Sequence, residues 1–311
     1  MQRSVIVDII AIGSILALLY FYHVHNCIFS QPAIQPTPQH LVQLGPTPIP
    51  QPEEPLTYGT WISTFKAANP LFQEFCVQSL LSGQAGSQNG QDMWLFQNIF
   101  KTYTLQGRKG FYVDSGANHW KDLSNTLFYD VCLGWDGLCV EPSAEYHSGI
   151  QQHRSCKLVT ECIADTTKFM HLSGSGVGGS TQEGNDMKCA SLETMLLSAP
   201  RGPRTHVDFW SLDVEGYEIT VLSGVNFHKI SVSVLLVEDF WISQRRLDEV
   251  LLNSEHTNLV KAKQFPIDSL FIKKDLELPS PLWYPPGWSS FVEINKGFRA
   301  QMMQENKLRC E

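Results

Sequence analysis

Short apolar runs that close on an acidic residue recur along this chain, and they constrain its fold more than any other feature. FYVDSG (111–116), LCVEP (138–142) and VDFWSLDVEG (207–216) carry Asp114, Glu141 and Asp213 at their ends, and VSVLLVEDF (232–240) is the most apolar of the set. Runs this short and this unbroken read as strands covered on both faces. Helical patterns lie between them. Residues 124–133 place Leu127, Phe128, Val131 and Cys132 on one face, 143–153 is weaker, and 191–197, 218–222 and 243–253 are further short helices. KLVTECIAD (157–165) alternates as one more strand, and 259–264 with 268–273 make a final strand pair. Upstream, Leu71, Phe72, Phe75, Leu80 and Leu81 fit one amphipathic helix and DMWLFQNIFKTY (92–103) another. Strands separated by helices imply βαβ units, a parallel sheet and an α/β fold. SGSGVGGSTQEGNDM (173–187) reads as a flexible loop.

In open α/β sheets ligands bind outside the carboxyl ends of the strands. Carboxylates are expensive to bury without partners, so a row of them at those ends marks a site. Asp114-Ser115-Gly116-Ala117-Asn118 closes the first strand. Gly116 permits a tight turn and close approach by a ligand, but the G-x-G-x-x-G of a dinucleotide fold is absent. Glu141 closes the next strand, where nucleoside-binding folds place an acid that accepts hydrogen bonds from ribose hydroxyls. Together these residues point to a nucleoside-containing cofactor. Helix N-capping by Asp114 is the competing structural role.

The amino-terminal region has a different character. In residues 5–24, VIVDIIAIGSILALLYFYHV, only Asp8, Ser14 and His23 interrupt the apolar run. About 20 such residues span a bilayer as a helix. Arg3 precedes the run and no Lys or Arg follows before Lys66, a bias that keeps the amino terminus cytosolic. Residues 1–25 are therefore expected to be a cytosolic stub and type II signal anchor. A cleaved signal peptide and a buried core helix are the alternatives, but no A-x-A-like cleavage site follows. Residues 26–57 form a stalk, with eight of the chain's 17 prolines between 31 and 55, a composition that favours an extended spacer. This layout is that of a single-pass Golgi or other secretory-pathway enzyme with a luminal domain.

Composition narrows the rest. The net charge is −8, with no basic run, which excludes a nucleic-acid reader. The eight cysteines, at positions 27, 76, 132, 139, 156, 162, 189 and 310, contain no C-x-x-C pair, which excludes a zinc ribbon. An oxidising lumen permits disulfides, yet no pairing follows from the spacing. Cys139 and Cys162, inside strands, read equally well as small buried residues. No N-x-S/T sequon occurs. Nothing in the sequence sets an oligomeric state.

FYVDSGAN, LSNTLFYDVCLGWDGLCVEPS, VDFWSLDVEGYEITVLSGV and VSVLLVEDF, in that order, resemble the FkbM-like methyltransferases. These are class I enzymes that use S-adenosylmethionine (SAM), mostly on hydroxyls of sugars and natural products. The resemblance spans residues 87–274, including SQNGQDMWLF and DSLFIKK. The domain around it is expected over 58–274, with an N-terminal helical cover, followed by a C-terminal aromatic extension over 275–311. The implied fold is Rossmann-like, with a mostly parallel central sheet, helices on both faces and a C-terminal antiparallel strand. It also implies that Asp114, Gly116 and Asn118 hold the methionine end of SAM, Glu141 the ribose, and Asp165 the region near the adenine. Asp213 and Glu215 would lie beside the transferred methyl and a sugar or glycan acceptor, with Glu238 pointing into the same cleft. His119 and Trp120 depart from the family, which has a small or acidic residue and then glycine there. Trp120 would either narrow the methionine pocket or stack on a sugar.

Methyl transfer requires a base for the acceptor proton; Asp213, Glu215, Glu238 and His119 are the candidates, and no tightly bound metal is expected. Two rivals stand beside this reading. Asp213-Val214-Glu215 also resembles the acidic metal motif of glycosyltransferases that use a nucleotide sugar and a divalent cation. A catalytically inactive SAM- or glycan-binding module is the other. LWYPPGW (282–288) reads as packing over the sheet edge, with lining of a sugar site as its alternative.

Overall fold

The computed structural model describes residues 58–173, 180–252 and 257–284, all within one compact unit, Glu54–Glu311. The expected anchor and stalk, Cys27, Cys310 and the end of the aromatic extension lie outside the described residues. No helix among those described is long and apolar enough to cross a membrane.

The strands are β1 (Phe111–Ser115), β2 (Asp136–Val140), β3 (Lys157–Val159), β4 (Cys162–Ile163), β5 (Lys168–Ser173), β6 (Ser180–Glu183), β7 (Met187–Ala190), β8 (His206–Leu212), β9 (Ser231–Glu238), β10 (Leu259–Gln264) and β11 (Asp268–Lys273). Seven form one sheet in the order β10-β11-β9-β8-β1-β2-β3. From β3 to β9 all neighbours are parallel, and β11 runs antiparallel to both β9 and β10. This mixed α/β architecture is compatible with a Rossmann-like fold. Alternate residues of each strand enter opposite cores. Tyr112, Cys139, Phe209 and Leu236 face one core, with Trp94, Phe100 and Ile150 from the helical layer above. Val113, Val140, Trp210, Leu212 and Val237 face the other, with Leu192, Leu222 and Leu247. Because both faces are covered, the strands carry no polar alternation.

Several elements differ from the sequence expectation. Leu71 and Leu81 are 89% and 64% exposed. Pro70 opens a 3-10 turn, the α-helix starts only at Gln73, and its buried face keeps the expected Leu80 but adds Cys76 and Ser79. The expected helix at 124–133 shrinks to a π-helical turn, Phe128–Cys132, because the Ser124 hydroxyl accepts the Thr126 and Leu127 N–H groups and holds an irregular lead-in. The helix at 92–103 runs over 91–105 with a π-turn at Phe96–Phe100, where the Asn98 side chain bonds both backbone groups of Trp283. Leu282 and Trp283 thus pack on the helical layer.

The stretch 157–165 splits between two sheets: β3 joins the main one, and β4 joins a second sheet of order β4-β7-β5-β6. Cys162 pairs with Cys189 across β4 and β7, where the two are register partners, and a disulfide joins them. Part of the expected loop at 173–187 is therefore strand β6 and the start of β7. Two more disulfides, Cys76–Cys132 and Cys139–Cys156, tie the helical cover to the π-turn and β2 to the entry of β3. Cys139 and Cys162 are buried but bonded, which the spacing alone did not reveal.

Candidate functional site

Strand order reverses direction between β1 and β8, and the cleft lies at their carboxyl ends. Such a switch point is where α/β sheets leave room for a ligand. Two contacts draw the strand ends together. The Asp213 N–H donates to the Ser115 carbonyl at 3.0 Å, and a Cβ on Gly116, at φ +81°, would collide with the Asp213 carbonyl oxygen. Gly116 is thus demanded by the chain's own turn. The N–H groups of Gly116 and Ala117 donate to the Val140 carbonyl at 3.0 and 3.1 Å, folding the loop across β2.

Glu141 sits at the centre, 5% exposed. Its two carboxylate oxygens accept the N–H groups of Asn118 and Ser143, both at 2.7 Å. The carboxylate is therefore held in a fixed orientation with lone pairs to spare. Burial raises its pKa, against the lowering effect of those two hydrogen bonds. Four described non-glycine residues have positive φ, and three of them, Asn118, Leu123 and Glu215, line this cleft. Strained backbone of that kind gathers at functional sites.

Asp114 also lines the cleft, and its carboxylate is engaged in a buried polar network. It accepts from the Thr126 hydroxyl at 2.5 Å and lies 3.9 Å from Arg154. Arg154 binds Asp130 at 2.6 Å, Thr126 at 2.7 Å and the Tyr112 hydroxyl at 3.1 Å, with its side chain fully buried. Burial raises the Asp114 pKa, and the guanidinium opposes the shift.

At the other end of the cleft, acids accumulate. Glu215 (φ +55°) and Gly216 (φ +98°) turn the chain back after β8. Glu218 then caps that turn, accepting the Val214 and Gly216 N–H groups at 2.9 and 3.2 Å. Glu238 ends β9 alongside, register-paired with Asp268 of β11. One oxygen each of Asp213, Glu218 and Glu238 lies within 4.8 Å of the others. Charges that close repel by about 3–4 kcal/mol per pair at an effective dielectric near 20. Burial, then Glu215 and the other neighbouring carboxylates, pushes Asp213 well above the usual carboxyl range. Burial, then Asp213, raises Glu238 as well. Burial takes Glu218 to about 6. Glu215 does not join this cluster: it accepts the Trp241 indole N–H at 3.2 Å, and burial raises its pKa.

The cleft thus brings together Asp114, Gly116, Asn118, Glu141, Asp213 and Glu215, with Glu238 beside Asp213. His119 and Asp165 are not among its lining residues. His119 Nδ1 accepts the Asp122 N–H at 3.0 Å and closes its own loop. Asp165 pairs with Lys168 at 2.5 Å, and that bond lowers its pKa. Trp120 stacks on His153 at 4.1 Å and meets Phe72 edge-on, so it packs against the helix Ala144–His153 and leaves the cleft open. Sequence reasoning missed Glu218, Asp268, which accepts from Gln91 at 2.6 Å, and the Arg154–Asp130 pair. Glu218 was visible as the last acid of LDVEGYE; nothing in the sequence singled out Arg154.

No protein-family model matches the chain, and no curated protein matches it. Among solved structures, one titled "Crystal structure of monomeric WbdD" aligns at 12% identity with a TM-score of 0.30. The alignment covers 55% of this chain and 38% of that one, a likeness too slight to bear on fold or activity.

Proposed function

We propose that this protein is a SAM-dependent O-methyltransferase acting on a hydroxyl of a sugar or glycan, as the FkbM-like resemblance implies. The observation that carries the reading is Glu141: a buried carboxylate at the end of β2, fixed by two backbone N–H groups beside the Gly116–Asn118 turn. The residues present fit a SAM molecule. Glu141 keeps acceptor capacity for two ribose hydroxyls. The lining on one side of it includes Pro142, Cys162 and Ile163, an apolar surface for a base, and on the other the polar Ser211 and Asp213.

When bound, SAM would supply a methyl group on a sulfonium, open to in-line displacement. The chain's task is to align the acceptor oxygen and receive its proton. Asp213 and Glu215 border the end of the cleft away from the base, and either carboxylate can take that proton directly or through a water. Trp241, 51% exposed and held by Glu215, offers an aromatic face on which a sugar ring can stack. Three disulfides among the described residues suit the oxidising secretory lumen expected for a type II protein.

Methyl transfer from SAM to a panel of soluble glycans, read as a product mass shift, tests the activity. Trp241→Ala should raise the acceptor KM while leaving SAM affinity unchanged. Consumption of a nucleotide sugar in place of SAM would establish the glycosyltransferase reading instead.

A further inference from the structure

Asp213, Glu218 and Glu238 come from three separate elements, the end of β8, the start of the helix Glu218–Ser223 and the end of β9. The turn at Glu215-Gly216 folds Glu218 back toward Asp213, and the parallel pairing of Leu212 with Val237 sets Glu238 level with both. Proximity of acids alone would be an accident of the strand ends. A second observation separates this cluster from such accidents. Glu218 is 0% and Glu238 5% exposed, and each spends one carboxylate oxygen on backbone N–H groups while its other oxygen, Oε2, is buried with no hydrogen-bond partner. Buried carboxylate oxygens are ordinarily hydrogen-bonded, paired with a cation or coordinated to a metal. Arg154, the buried cation of the neighbouring network, is committed to Asp130.

We infer that Asp213, Glu218 and Glu238 form a binding site for one hard divalent cation, such as Mg²⁺, Mn²⁺ or Ca²⁺. Such ions take all-oxygen ligand sets, with carboxylates dominant. Metal–oxygen distances of about 2.1–2.4 Å keep ligand oxygens within about 4.2–4.8 Å of one another, and the three carboxylates already meet that limit at 4.8 Å. Asp213 lines the cleft while the two glutamates lie behind it. The ion would therefore be anchored from the protein side, with its remaining positions open toward the cleft for water or an acceptor oxygen. The ligands are Asp213, Glu218 and Glu238 rather than the Asp213-Val214-Glu215 motif, because Glu215 is engaged by Trp241. The inference does not rest on the identity of the cofactor, and its test contains no SAM.

The experiment is titration of Mn²⁺ into the metal-stripped full chain, followed by the loss of the free-ion signal in electron paramagnetic resonance. One site per chain is expected. Glu218→Gln and Glu238→Gln, near-isosteric changes, should each weaken it by at least about tenfold, and Asp186→Asn, on the exposed surface, should leave it intact. Mn²⁺ should also raise the melting temperature of the wild type but not of the glutamine variants. If a glutamine variant fails to fold, Asp213→Asn at the cleft wall takes its place. Absence of Mn²⁺ binding at millimolar concentration, or binding unchanged in all three variants, would overturn the inference and leave a cluster of acids holding protons.

Discussion

Replacing Arg154 by methionine should be among the most damaging single changes in this protein, and its size follows from the network around it. The guanidinium bonds Asp130 at 2.6 Å, Thr126 at 2.7 Å, Tyr112 at 3.1 Å and Ser124 at 3.3 Å, and stands 3.9 Å from Asp114. Methionine fills much of the volume but leaves Asp130 and Asp114 buried without their counter-charge. Removing one partner of a buried pair costs about 3–5 kcal/mol. For a domain of this size that corresponds to a fall in Tm of about 6–20 °C. Arg245→Met, which breaks the exposed pair with Glu249, should shift stability by less than about 0.5 kcal/mol. Adding Asp130→Asn to Arg154→Met should recover part of the loss, because one of the stranded charges goes. Thermal unfolding of the full chain by calorimetry gives all three values. A loss below about 2 °C for Arg154→Met would mean that the network is not what holds β1, the π-turn and the helix Ala144–His153 together.

Three further outcomes follow from the same geometry. Gly116→Ala should cost roughly 1–3 kcal/mol and abolish ligand binding, since the new Cβ must push the β8 end away; unchanged Tm and affinity would refute the close approach. Cys162→Ser with Cys189→Ser opens a loop of 27 residues and should cost about 3–4 kcal/mol, measured by denaturant unfolding under oxidising conditions. Burial takes the Glu218 pKa to about 6 and, with Asp213 beside it, raises Glu238 as well, so the folded chain retains protons that the unfolded chain releases above about pH 4. Stability supplied by that uptake is lost as pH rises through the raised values, and with chelator present Tm should be higher at about pH 5.5 than at about pH 7.5; a Tm that climbs across that interval would contradict the assignment.

The main sheet was legible because its strands are covered on both faces. Phe111, Tyr112 and Val113 need no polar alternation, so the run itself announces a central strand. Strand ends were legible as well: Asp114, Glu141 and Asp213 interrupt the apolar runs at the carboxyl ends of β1, β2 and β8. The second sheet was not. Its strand β6, STQE, lies in a polar and glycine-rich stretch, and β4 is only two residues pinned by a disulfide, a constraint that leaves no periodic trace. Gly116 was singled out correctly, but the atom that forbids a side chain there belongs to Asp213. Glu218 read as an ordinary first-turn acid of a helix; only the left-handed turn at Glu215 and Gly216 brings it to Asp213. His119 was named for its chemistry, and the loop geometry spends that nitrogen on the Asp122 N–H.

The proposed methyltransferase activity requires that the cleft at the ends of β1, β2 and β8 hold SAM through Glu141. Calorimetric titration of SAM into the full chain, wild type and Glu141→Ala, tests it most directly. One binding site per chain is expected, with a loss of about 1–3 kcal/mol in the variant, a weakening of about 5- to 150-fold, through removal of charge-assisted hydrogen bonds. A wild-type chain that takes up no SAM, or a Glu141→Ala variant that binds it as tightly as the wild type, would contradict it.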